Sequence, residues 1–204
     1  MSGPSSRLQA QVERDALKMQ THPLCGSVSI PPDNRSFFIT ILSAQREGRT
    51  CLPARMGLSA SDFHELLQCL PPEVTGVSRF HVCSEDDLRQ ELLDLRRDEW
   101  GDLRDLLMAH RSHQCATETW MADVVAAGCL GGDHLWRDLG LKHRAELRDL
   151  LMQNFAPLAM RNTQDMKWKR FFYKQLCDQE GSYVCRAPSC EQCVAYDDCF
   201  GRED

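Results

Sequence analysis

From Phe37 onward the apolar residues of this chain recur at intervals of three and four, the spacing of one helix face. No segment sustains the alternation of a half-buried strand, so the expected fold is all-α. Phe37, Phe38, Ile41, Leu42 and Ala44 predict a first helix ending near Gly48. Ser59 and Ser61 ahead of Phe63, Leu66, Leu67 and Leu70 predict a second, stopped by Pro71 and Pro72. Ser84, followed by Asp87 and Leu88, opens a long third helix with Leu88, Leu92, Leu95, Leu103 and Leu106 on one face; Gly101 marks where it bends or splits. Trp120, Val124 and Ala127 stripe a fourth, ended by Gly131 and Gly132, and Leu147, Leu150 and Leu151 mark a fifth. Asn162 predicts the N-cap of a sixth, running to about Asp178. The expectation is a helical domain of about six helices over residues 36–204, following a flexible N-terminal segment, residues 1–35, rich in Ser, Pro, Gly and Gln. The phrases DLRDLLM at 102–108 and ELRDLLM at 146–152 nearly repeat, but two copies do not make a solenoid.

A chain of 204 residues buries enough surface to fold without disulfides. Its net charge of -6 argues against a nucleic-acid partner. No run approaches the 18 apolar residues of a membrane span, and the first fifteen residues lack the apolar stretch of a secretory signal. The expected location is therefore the reducing cytoplasm, where eleven cysteines, an odd number, read as metal ligands before they read as disulfides.

Four of these cysteines fall within fifteen residues. Cys185, Cys190, Cys193 and Cys199 are spaced C-x4-C-x2-C-x5-C, and Cys177 stands eight residues ahead. Thiolate is the soft donor that zinc and iron–sulfur clusters require, and four thiols this close predict a C-terminal cysteine-rich cluster-binding loop, residues 185–199. The first three match the C-x4-C-x2-C run of plant-type ferredoxins, whose fourth ligand comes much later. Structural zinc sites usually split their ligands into two C-x2-C-like pairs, and only one such pair is present here. The spacing favours an iron–sulfur cluster over zinc, with unmetallated cysteines third. Pro188 stiffens the run, and Tyr183, Val184, Val194, Tyr196 and Phe200 either shield the sulfurs or pack the core.

Residues 162–200, NTQDMKWKRFFYKQLCDQEGSYVCRAPSCEQCVAYDDCF, resemble the C-terminal signature of the NifQ family of nitrogen fixation. CLGGDHLWRDLGL at 129–141 and NFAPLAMR at 154–161 are similar to the same family. The resemblance runs from about residue 37 to the end and places the family's cysteine motif on Cys185, Cys190, Cys193 and Cys199. It implies a carrier that receives molybdenum, from molybdate or another source, onto an iron–sulfur cluster held by those cysteines. The carrier then supplies it to the proteins that assemble the iron–molybdenum cofactor of nitrogenase. Two further readings of the residues stay open: a small iron–sulfur electron-transfer protein, and a helical interaction module with structural zinc.

Outside the motif, His134 is placed by its glycines to add a metal ligand or to pack beside Trp136. Cys177 is a fifth thiolate or a core residue, and Cys129 reads as core. Lys167, Arg170 and Lys174 share one face of the sixth helix, flanked by Lys169: either a solvated face, or one that attracts an anion or an acidic partner. No nucleophile motif, phosphate-binding glycine loop or H-E-x-x-H is present, so an enzyme is not expected.

Overall fold

The computed structural model describes residues 30–75, 84–180 and 196–202. Every regular element among them is a helix: α1 (Pro32–Arg46), α2 (Ala60–Cys69), α3 (Pro72–Thr75), α4 (Ser84–Leu95), α5 (Arg97–Ala109), α6 (Glu118–Cys129), α7 (Leu135–Asp138), α8 (Arg144–Asn154), α9 (Ala156–Ala159), α10 (Trp168–Glu180) and α11 (Tyr196–Phe200). The expectation of about six helices is thus corrected to eleven among the described residues. Four of the additional ones, α3, α7, α9 and α11, are four or five residues long. One turn is too short to display a hydrophobic period, so periodicity does not detect it.

The eleventh arises because the long third helix divides at Arg96, not Gly101. Arg96 leaves helical geometry at φ -110°, ψ 32°, while Gly101 lies inside α5 with open space where a side chain would stand. The Arg96 guanidinium donates to both carboxylate oxygens of Glu99 at 2.7 and 2.8 Å and to the Leu130 carbonyl at 2.7 Å. The break changes which face meets the core. Leu103, Leu106 and Leu107 are buried as α5 requires, but among the side chains of α4 described, residues 88–95, only Leu93 is. Leu88, Leu92 and Leu95, which the spacing set on one face with Leu103 and Leu106, are exposed at 56, 52 and 81%.

Helix α6 is the centre of the packing. Eleven of its twelve residues are buried. A helix buried all round needs apolar residues on every face, and Trp120, Met121, Val124, Val125 and Ala126 supply them. Helix α5 lies against it on one side and α7 on another; α10 packs on α5, and α8 on α7 and α9. Small residues allow the close approaches. A Cβ on Gly128 would lie 2.7 Å from Leu139 Cδ2.

Two helix ends show why the chain turns where it does. After α1, Gly48 adopts φ +71°, its N–H donates to the Gln45 carbonyl at 3.0 Å, and Arg49 N–H reaches Ala44 at 2.9 Å. After α7, Gly140 repeats the arrangement at φ +72°, with Gly140 N–H on Arg137 and Leu141 N–H on Trp136, both at 2.8 Å. Both are Schellman caps, which need a left-handed residue. At Gly140 a side chain is excluded twice over, because its Cβ would lie 2.2 Å from Ala44 Cβ.

A buried amide pair joins the start of α1 to the end of α8. Asn34 and Asn154, both fully buried, exchange side-chain hydrogen bonds of 2.7 and 2.8 Å. Asn34 also donates to Thr117 just ahead of α6. Ile30 is 3% exposed. No helix among the described residues is long and apolar enough to cross a membrane.

The C-terminal part of the fold expectation also needs correction. Cys185, Cys190 and Cys193 lie outside the described residues. Cys199 sits on the helical turn α11, not in a loop. Among the described residues no three His, Cys, Asp or Glu side chains gather as a metal site.

Candidate functional site

Helix α10 begins at Trp168, five residues later than an N-cap at Asn162 predicts. Asn162 does cap, but it caps a turn: its Oδ1 accepts from Met166 N–H and its Nδ2 donates to the Met166 carbonyl, both at 2.8 Å. This clamp delivers Lys167 to the mouth of the helix.

Lys167 then holds α11 at two points. Its backbone N–H donates to the Cys199 carbonyl at 2.8 Å, and its Nζ donates to the Asp197 carbonyl at 2.8 Å. Tyr196 and Phe200, one turn apart on α11, stack with centroids 4.6 Å apart. Cys199 and Phe200 pack against the hydrophobic core. The last cysteine of the motif is thereby positioned, half-buried, at the N-terminus of α10.

A cleft of about 360 Å³ opens at the same place. His134 and Asp133 line one wall, Lys167, Lys169 and Arg170 the other, and Asp198 of α11 also contributes. Asp138 holds the two walls together. Its buried carboxylate pairs with Lys169, whose Nζ also donates to the Gly131 carbonyl at 2.8 Å. The same carboxylate accepts the Asp133 N–H at 3.0 Å. Lys169 is therefore a half-buried anchor and not part of a solvated face, a role visible only once residues 31 apart in sequence meet.

The other candidates separate. His134 shares the cleft with Lys167 and Arg170. Lys174 does not; it lines a different hollow with Arg161 and Asn162. Cys177 lies three turns along α10 from Lys167, about 15 Å at the helical rise, so the helix carries it away from Cys199. Cys129 is 2% exposed in the core.

Cys129 and Cys51 are held as neutral thiols. Burial, foremost, pushes each up to about 12, and the Asp138 carboxylate adds to the effect. At pH 8 their thiolate fraction is roughly one in ten thousand, and the thiolate is the nucleophile. Both are expected to resist iodoacetamide at pH 8 in the native chain and to react once it is unfolded. Peptide mapping that found either alkylated at the unfolded rate in the native state would contradict the burial argument.

The NifQ family matches residues 37–201, which includes all four motif cysteines. The protein NifQ of Azotobacter vinelandii is 53% identical over 83% of this chain and 89% of its own length. The protein NifQ of Klebsiella pneumoniae is 36% identical over 75% and 90%. That of Rhodobacter capsulatus is 31% identical over 73% and 77%. No solved structure matches the chain. The chain belongs to the NifQ family, and its place is in nitrogen fixation, as a molybdenum-related carrier and not an enzyme.

Proposed function

We propose that this protein carries molybdenum as cargo on an iron–sulfur centre in the cytoplasm, and supplies it to the proteins that assemble the iron–molybdenum cofactor of nitrogenase. The observation that carries the reading is a family match that spans the whole C-x4-C-x2-C-x5-C motif. Cys185, Cys190, Cys193 and Cys199 would hold the cluster, and four soft thiolates are the donor set it requires. Cys199 suits that role because its backbone is tied to Lys167 while its side chain is only half-buried. When bound, the cluster supplies sulfide ligands that a molybdenum centre can accept in place of oxo groups. The chain's own contribution is to fix the backbone around Cys199 and to set an aromatic pair, Tyr196 and Phe200, beside it.

Elemental analysis of protein purified anaerobically from molybdate-fed cells tests the proposal. Iron and molybdenum together are expected. Iron alone with reversible redox would instead indicate electron transfer, and zinc alone a structural module; either result overturns the carrier reading.

A further inference from the structure

We propose that the exposed edge formed by α4 and α5 is a docking surface for a partner protein that presents apolar side chains rimmed by Lys and Arg. The charges on the edge fix that chemistry; that the partner is the one receiving molybdenum rests on the carrier reading.

An apolar row is the first argument. Leu88, Leu92 and Leu95 stand at i, i+4 and i+7 and so share one face of α4, at 56, 52 and 81% exposure. Single exposed leucines are ordinary, but three in a row on one face make a patch of the kind that marks an interaction site. The other large apolar side chains exposed among the described residues, Met152, Met160 and Tyr196, belong to other segments. A hollow is the second argument. Leu92 also lines a cavity of about 270 Å³, whose wall is apolar at Pro53, Leu93, Ala127 and Leu130. Such a recess beside an apolar row suits an anchor side chain from a partner.

Charge selects the occupant. Asp98, Asp102 and Asp105 repeat the i, i+4, i+7 spacing on α5 and are exposed, and Glu91 and Asp94 are exposed on α4. Of the cations on the two helices, Arg96 is held by Glu99 and Arg104 by the buried Asp123. Arg89 and Arg97 carry the remaining positive charge, too little to offset the carboxylates. A two-fold contact between copies of this chain would bring two acidic edges together. An anionic membrane would be repelled in the same way. A basic surface with an apolar centre matches both the leucines and the carboxylates.

The test is fluorescence anisotropy on the full-length protein. The probe is a labelled amphipathic helical peptide of leucine and lysine, and the control is its leucine–glutamate counterpart. Saturable binding of the lysine peptide alone is expected, weakening as salt rises. Leu92→Glu, and separately Asp98→Lys combined with Asp102→Lys, should each weaken it about tenfold or more. No saturable binding, equal binding of the two peptides, or affinity unchanged in both variants overturns the proposal. Sedimentation equilibrium and phosphatidylglycerol vesicles address the other occupants. A dimer or a vesicle complex that Leu92→Glu abolishes would assign the edge to a second copy or to a membrane, and either overturns the proposal. Leu92→Glu should move the melting temperature by no more than about 2 °C, the scale of a surface substitution. A larger fall would show the row to be covered by the chain itself and overturns the proposal. Molybdenum measurements on the same samples separate the two readings. Loaded Leu92→Glu protein should keep its metal and deliver it to the cofactor-assembly proteins about tenfold more slowly; normal loading with unchanged delivery removes the docking role alone. A protein that never holds molybdenum removes the carrier reading and leaves the peptide result standing.

Discussion

Replacing Cys190 or Cys193 by alanine is expected to remove most of the iron from the purified protein. The two are the closest pair in the motif, with two residues between them. Losing either leaves three thiols, and the survivor loses the neighbour that makes its binding effectively intramolecular. The helices should survive the loss. The buried apolar residues among those described run from Ile30 to Phe172, all ahead of the motif. This differs from a zinc finger, in which the metal supplies the folding free energy. The expected result is iron near background in both variants with the helical circular dichroism of the parent. Full iron occupancy in both would contradict the ligand assignment. Collapse of the helical signal would contradict the claim that the core stands without the centre.

Removing one buried carboxylate should do far more harm to the fold. Glu118, 1% exposed at the start of α6, accepts hydrogen bonds from the backbone of His113 at 3.0 Å and Gln114 at 2.8 Å. It also accepts from Arg111 Nε at 3.0 Å, and that side chain is only 20% exposed. Glu118→Ala leaves a largely buried guanidinium and three backbone donors, the third being Cys115 N–H at 3.4 Å, without that acceptor. Breaking a buried pair from one side costs about 3–5 kcal/mol, and at about 2–4 °C per kcal/mol for a chain of this size the melting temperature should fall by roughly 10 °C. Asp105→Ala is the contrast. Asp105 approaches Arg104 at 3.6 Å but is 80% exposed, and such a surface pair contributes about 0–1 kcal/mol. Equal melting temperatures for the two variants would show that Glu118 does not hold the segment from Arg111 to α6.

Ser59 announced α2, and the structure has its side chain accepting from Asp62 N–H at 3.1 Å. Gly48 announced the end of α1 because a left-handed cap is written in one residue. Such signals are local. Arg96 and Asp138 were silent because their roles depend on partners far along the chain: Leu130 for one, Lys169 for the other. The leucines of α4 misled for a related reason. Their spacing is helical, but which face is buried depends on a break that Arg96 makes with Glu99 and Leu130. At the candidate site, three of the four motif cysteines lie outside the described residues, and the division of Lys167 and Arg170 from Lys174 required the walls of the cleft to be in place.

On the proposed carrier function, this chain would hold molybdenum in a sulfur environment. X-ray absorption at the molybdenum edge, on protein purified anaerobically from molybdate-fed cells, measures that environment directly. The expected result is molybdenum with sulfur and iron neighbours, lost together in the Cys190→Ala variant. Molybdenum surrounded only by oxygen, or iron-replete protein with no molybdenum at all, would contradict it.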